Sequence, residues 1–147
     1  MKILIDSNVA LDSLLKRHPF YKASEKVIDL ASECINVLIS ASAVTDIFYI
    51  TCREVKNKKL AMDALKGLLQ TVKVAAVDDL EIRRAISLDW EDFEDAVQFA
   101  AAEDARADCI VTRDKTGYAS ATIPVFEPDE FTTFFKIVKT SINPPHF

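Results

Sequence analysis

Glycine is almost missing from this chain, which has only Gly67 and Gly117 in 147 residues. Loops that cradle phosphates in nucleotide-binding folds need several glycines in a short span, so that class is excluded. Cysteine is scarce and scattered, at Cys34, Cys52 and Cys109, with no Cys-x-x-Cys and with His18 and His146 remote from all three. A zinc site is therefore not expected, and the cysteines read as small apolar residues in a reducing cytoplasm. No apolar run reaches the roughly 18–20 residues that a membrane span requires. The first residues read as a strand ending on a charge, not as a signal peptide. A basic excess is also lacking: the net charge is −5. Nucleic-acid affinity comes largely from Lys and Arg on phosphates. Four acids gathered on cations would nonetheless leave a surface balance of about −1.

What is present is ordinary for one globular domain: 50% hydrophobic and 28% charged residues over a length that buries a real core. Residues 1–140 read as that domain and 141–147 as a loose tail. The run Ile3-Leu4-Ile5 ends on Asp6 and fits a strand buried on both faces. Further strands are expected at Lys2–Ile5, Val37–Ser40, Lys73–Val77 and Cys109–Arg113, with an edge strand at Pro124–Phe126. Between them fall helical segments. One runs from Phe20 to Cys34, another opens at Ser40 or Ser42 with apolar residues around much of its circumference, and a third covers Asn57–Gln70. A helix from Asp78 to Leu88 is expected to turn Ile82, Ala85 and Ile86 inward. The next contains four alanines between 96 and 102, which lets it approach a sheet closely. Strands alternating with helices predict a three-layer α/β/α domain around a mainly parallel sheet of four to five strands.

Four carboxylates stand out by placement. Asp6 and Asp114 follow strands, where ligands bind in open α/β sheets. Asp95 starts the alanine-rich helix, and Asp46 lies among Val44, Ile47 and Phe48. Each has a plainer alternative. Asp6 could cap the next helix, Asp95 could pair with Asp92 in a cap, Asp46 could be half-exposed, and Asp114 could be a turn residue. Together, acids without histidine or cysteine partners suit hard cations such as Mg²⁺ or Mn²⁺.

The segments Ile3–Val9, Ser42–Ile50, Asp92–Gln98 and Cys109–Asp114, in this order and spacing, resemble a PIN domain over Lys2 to about Phe135. The similarity is greatest to small prokaryotic VapC-type ribonucleases, toxins of toxin–antitoxin pairs. The resemblance implies a metal-dependent endoribonuclease that hydrolyses RNA phosphodiesters with a metal-activated water, using Mg²⁺ or Mn²⁺. It implies that Asp6, Asp46, Asp95 and Asp114 act as metal-binding catalytic acids, with Asn8, Thr112 and Asp92 in support. It also implies an antitoxin partner and a homodimer. Arg113 and Lys115 are expected to hold the RNA backbone, with Lys16, Arg17 and Lys22 nearby. Two departures are visible. Asp46 stands where many relatives carry glutamate, and Gly117-Tyr118 stands where relatives often have Asp-Phe. Two other readings remain open: a non-catalytic PIN-like interaction module, and a phosphohydrolase with Asp6 as nucleophile, the latter weakened by Asn8 where a second aspartate would be needed.

Overall fold

Ile3, Leu4 and Ile5 have no solvent exposure because their strand is central in the sheet and covered on both faces. The computed structural model describes residues 1–32 and 35–142. In it β1 (Lys2–Ile5) pairs in parallel with β2 (Asn36–Ser40) on one side and β4 (Cys109–Val111) on the other. β3 (Lys73–Ala75) flanks β2 and β5 (Val125–Phe126) flanks β4, giving the parallel order β3-β2-β1-β4-β5. The sheet is wound outward in both directions from β1. The switch between β1 and β4 leaves a crevice at their carboxyl ends, the place where such sheets bind ligands.

The two-residue period of the strands divides the core. Ile3, Ile5, Val37, Ile39 and Val111 face one layer, with Val9 of α1 (Ser7–Leu14), Val27 of α2 (Tyr21–Asp29) and Ile47 of α3 (Ala41–Val55). Leu65 of α4 (Lys58–Leu68) and Phe131 of α7 (Pro128–Ile142) complete that layer. Leu4, Leu38 and Ile110 face the other layer, where Phe99, Ala101 and Ala102 of α6 (Phe93–Asp104) meet them. α5 (Asp79–Leu88) packs on α6 through Ala85 against Ala96 and Val97. The expected three-layer α/β/α fold is what the chain adopts. Among the described residues, no helix is long and apolar enough to cross a membrane.

Several boundaries differ from expectation, each for a local reason. β3 stops at Ala75 instead of Val77, because its partner Ser40 is the last residue of β2 before the chain turns into α3. β4 stops at Val111 instead of Arg113, opposite Ile5, where β1 also ends. β5 begins at Val125, after Pro124. α2 gives way at Leu30 to a 3₁₀ turn through Ser32, and the expected end at Cys34 lies outside the described residues. α4 is shorter than 57–70 because Asn57 caps it, its Oδ1 accepting from the Leu60 N–H at 3.1 Å. α7 continues through Ile142, overlapping the start of the expected tail, of which 143–147 lie outside the described residues.

Two helix faces were misassigned. Ile82 and Ile86 are 36% and 63% exposed, while α5 buries Glu81 and Ala85. A capping box decides this. Glu81 returns its Oε2 to the Asp78 N–H at 2.8 Å, and its side chain is drawn inward. α3 buries Ala43, Ile47 and Thr51, leaving Tyr49 64% exposed, because it packs along one side only. Cys109 is buried and Cys52 half-buried, while Cys34 and His146 lie outside the described residues.

The alanines of α6 set its distance from the sheet. Ala101→Leu, at a position with no exposure, forces extra methylenes between helix and strands and is expected to lower stability by about 1–3 kcal/mol, read from urea denaturation midpoints.

Candidate active site

Asp6 occupies the N-cap position of α1 with extended backbone, yet its side chain makes no capping hydrogen bond. Its carboxylate turns inward, 5% exposed. Oδ2 accepts from Thr112 Oγ1 at 2.8 Å and from Asn8 Nδ2 at 3.3 Å. Oδ1 accepts from Gln98 Nε2 at 3.1 Å and from Ser7 Oγ at 3.2 Å. A buried carboxylate is tolerable only with such donors around it. Thr112 arrives from the end of β4 and Gln98 from α6, so three elements converge on one side chain. Gln98 escaped the sequence reading, although it is the one polar residue among Ala96–Ala102 and lies one helical turn from Asp95.

Asp95 stands across from Asp6 with the Tyr118 hydroxyl between them. That hydroxyl interacts with both carboxylates but has no hydrogen bond of good geometry to either, and it is buried. Burial first, then the negative charges of Asp6 and Asp92, push the Asp95 carboxyl up to about 7, against a modest opposing effect from Tyr118. Burial and the same two carboxylates, Asp6 and Asp95, raise the Tyr118 pKa, so its proton stays on oxygen. Asp92 caps α6, its Oδ1 accepting from the Asp95 N–H at 3.2 Å. The capping alternative for Asp95 is thus met by its backbone, which frees its side chain. Gly117 explains how Asp95 fits. A Cβ at 117 would overlap Asp95 Oδ2 and approach its Cγ to 3.2 Å.

Asp114 and Asp95 line one open crevice of about 950 Å³ together with Asp92, Phe93, Glu94 and Gly117. Asp114 also does turn work. Its Oδ1 accepts from the Thr116 N–H at 3.1 Å and hydroxyl at 2.5 Å, which hold the carboxyl below its usual range. Asp46 is exposed on α3 and does not line the crevice, but its charge reaches Glu94. Glu94 is raised above the usual carboxylate range by partial burial first, then by the Asp46, Asp6 and Asp92 charges. It accepts from Ser7 Oγ at 3.4 Å, which places it beside Asp6. Asn8 accepts from the Arg113 N–H at 3.3 Å, and Thr112 Oγ1 accepts from the Asp114 N–H at 3.2 Å.

Four of the five cations expected near RNA, all but the exposed Lys22, are engaged within the chain. Arg113 Nε lies 3.4 Å from Asp12 Oδ2, and its guanidinium sits 4.2 Å from the centroid of the Phe20 ring. Lys115 Nζ donates to both oxygens of Glu130 at 3.0 Å. Lys16 pairs with Glu25, and Arg17 with Glu54 at 2.7 Å.

Every donor at the crevice is oxygen, and the buried Gln98 Oε1 and Tyr118 Oη beside Asp6 have no hydrogen-bond partner. That set fits a hard divalent cation. Among the described residues, no three acids stand close enough to enclose an ion as they are. Asp6, Asp95, Glu94 and Asp114 would have to draw together to hold one.

The raised Asp95 pKa has a sign. Its folded-state value lies above the unfolded one, so its contribution to stability is complete in acid and is lost as pH rises through about 7. Metal-free protein is expected to melt at lower temperature on the alkaline side of 7, and Asp95→Asn to flatten that slope, as followed by circular dichroism. Gly117→Ala is expected to rotate Asp95 away from Tyr118 and weaken Mn²⁺ binding by about tenfold, measured by calorimetry, with little change in melting temperature.

Comparison with known proteins agrees with this fold. The model of the PIN domain family matches residues 2–116. Ribonuclease VapC1 of Aquifex aeolicus is 26% identical over 136 residues, covering 88% of this chain and 92% of that protein. A chain in the crystal structure of VapBC2 from Rickettsia felis, bound to a promoter DNA fragment, superposes with a TM-score of 0.69 at 15% identity, covering 86% of this chain and 98% of that one. The Mycobacterium tuberculosis toxin VapC20, described as cleaving the sarcin-ricin loop, gives 0.66 at 17% identity, over 80% and 94% of the two chains. With the family model spanning residues 2–116, most of its length, the chain belongs to the PIN domain family.

Proposed function

We propose that this protein is a divalent-metal-dependent endoribonuclease, the toxin of a toxin–antitoxin pair. The observation that carries the reading is the Asp6 carboxylate. It is turned away from the helix it could cap and held at the switch between β1 and β4, facing Asp95 across Tyr118. Four side-chain donors hold that group oriented where a ligand would enter.

Asp6, Asp95 and Asp114 would hold the cation, with Glu94 and Asp46 adding charge at the margin. When bound, Mg²⁺ or Mn²⁺ compensates these carboxylates, polarises a phosphodiester oxygen and acidifies water. Thr112 and Gln98 fix the two oxygens of Asp6. Tyr118 keeps its proton between Asp6 and Asp95. Burial and neighbouring charge push Asp95 up to about 7, so as a ligand it would have to give up its proton, and metal affinity would rise with pH through about 7. RNA is the substrate in this reading, as the names of VapC1 and VapC20 indicate for those proteins. An antitoxin and self-association are part of it too: Tyr49, Val55 and Leu60 leave apolar surface exposed on α3 and α4. The interaction-module reading has one observation in its favour, the internal pairing of Arg113 and Lys115.

The same assay decides between them. Purified protein is expected to cleave RNA with Mg²⁺ or Mn²⁺ and to stop in EDTA. Asp6→Asn is expected to lower cleavage by at least about a thousandfold while the melting temperature holds. A folded Asp6→Asn variant with full metal-dependent cleavage would overturn the proposal.

A further inference from the structure

Asp12, on α1, takes no part in the acidic crevice and is the most deeply buried carboxylate described. Its side chain is 1% exposed and neither oxygen accepts a hydrogen bond from the described residues. Two guanidinium groups face it, Arg113 Nε at 3.4 Å and Arg17 Nη1 at 4.0 Å. Burial outweighs both and raises its pKa. The ionised group therefore costs stability as pH rises through that raised value. A neutral residue of the same shape would serve folding as well or better. A carboxylate kept where it costs stability points to something else that it holds.

What it holds is Arg113. The residues on either side of Arg113 are Thr112, which donates to Asp6, and Asp114, which lines the crevice. The Arg113 N–H is fixed by Asn8 Oδ1, and Asn8 in turn donates to Asp6. Beside the pair is a hollow of about 390 Å³ lined by Asp12, Phe20, Ser24, Arg113 and Pro128. Without the pull of Asp12, the Arg113 side chain has room to swing into it. We propose that Asp12 is a positioning residue for the nuclease site. By anchoring Arg113 against α1 it fixes the segment after β4, and so sets Thr112 against Asp6 and Asp114 at the crevice. Arg113 thereby frames the site and does not grip RNA. This inference rests on the ribonuclease reading for its kinetic arm only.

Three variants of the full chain test it: Asp12→Asn, Arg113→Lys and Arg113→Gln. With a short RNA and Mn²⁺, Asp12→Asn is expected to lower kcat by about tenfold or more while KM stays within about twofold. Its melting temperature should be unchanged or higher. Arg113→Lys keeps the charge but loses the fork, and is expected to follow Asp12→Asn in kcat. Adding Asp12→Asn to Arg113→Gln is expected to cost nothing further, because the two act as one unit. In NMR spectra the Arg113 Nε–H signal should exchange slowly in the wild type and quickly in Asp12→Asn. If Arg113 grips RNA instead, Arg113→Gln raises KM, Arg113→Lys preserves it and Asp12→Asn leaves kcat intact; that pattern overturns the proposal. Should Asp12→Asn fail to fold, Arg113→Lys, whose side chain is partly at the surface, carries the same comparison. If the wild type cleaves no RNA, the ribonuclease reading falls. The exchange of Nε–H then decides on Asp12 by itself, a fast wild-type signal overturning the anchor.

Discussion

The bond from Thr112 to Asp6, across the seam between β1 and β4, is the constraint on which the rest of this structure depends. It joins the ends of two strands that neighbour each other only because the sheet is wound in two directions from β1. Everything that shapes the crevice is referred to it. Gln98 can meet Asp6 only if α6 lies close to the sheet, which its alanines permit. Asp95 can face Asp6 only if the turn after Asp114 comes in without a side chain at 117. The crevice is in this sense one packing solution, with the buried Asp6 side chain as its reference point.

Much of that was legible in the sequence. A β strand that ends abruptly on an aspartate, alternation of strands and helices, and a run of alanines all carry direct physical meaning, and the sheet follows them. Asp6, Asp46, Asp95 and Asp114 stand out by placement; of these Asp95 and Asp114 line one crevice, and Asp6 faces Asp95 across Tyr118. Asp46 is less well placed, on the exposed side of its helix, because apolar neighbours in sequence do not say which way a helix is turned. The same ambiguity misled the reading of α5. Ile82 and Ile86 form a plausible inward pair, and the capping box that reverses the face is visible only once Asp78 and Glu81 are considered together. Gln98 and Tyr118 were missed for another reason. Their roles come from what they meet across the fold; for Gln98 the one trace along the chain is its place, a polar residue in an apolar run one turn after Asp95.

The molecule also concentrates its electrostatic cost. Asp6, Asp12 and Asp95 are carboxylates withdrawn wholly or partly from water, besides Glu81, which is buried in its capping box. Each is handled differently. Asp6 is surrounded by neutral donors, Asp12 faces guanidinium groups, and Asp95 relieves the strain by holding a proton near neutrality. Such local conflict with stability is expected where function, and not folding, sets the residue.

The parallel order β3-β2-β1-β4-β5 has a consequence in time. β1 precedes its neighbours in the chain yet is the centre of the finished sheet, and the partner that orients Asp6 lies 106 residues further on. Contacts of such long range form late, since the intervening loop must close before they can contribute. Asp6 therefore emerges early but has no Gln98, Thr112 or Tyr118 to hold it until most of the chain has been synthesised. The setting of Asp6 is thus delayed in synthesis: the acid is made long before the residues that orient it, and the crevice assembles only after the segment through Tyr118 has followed.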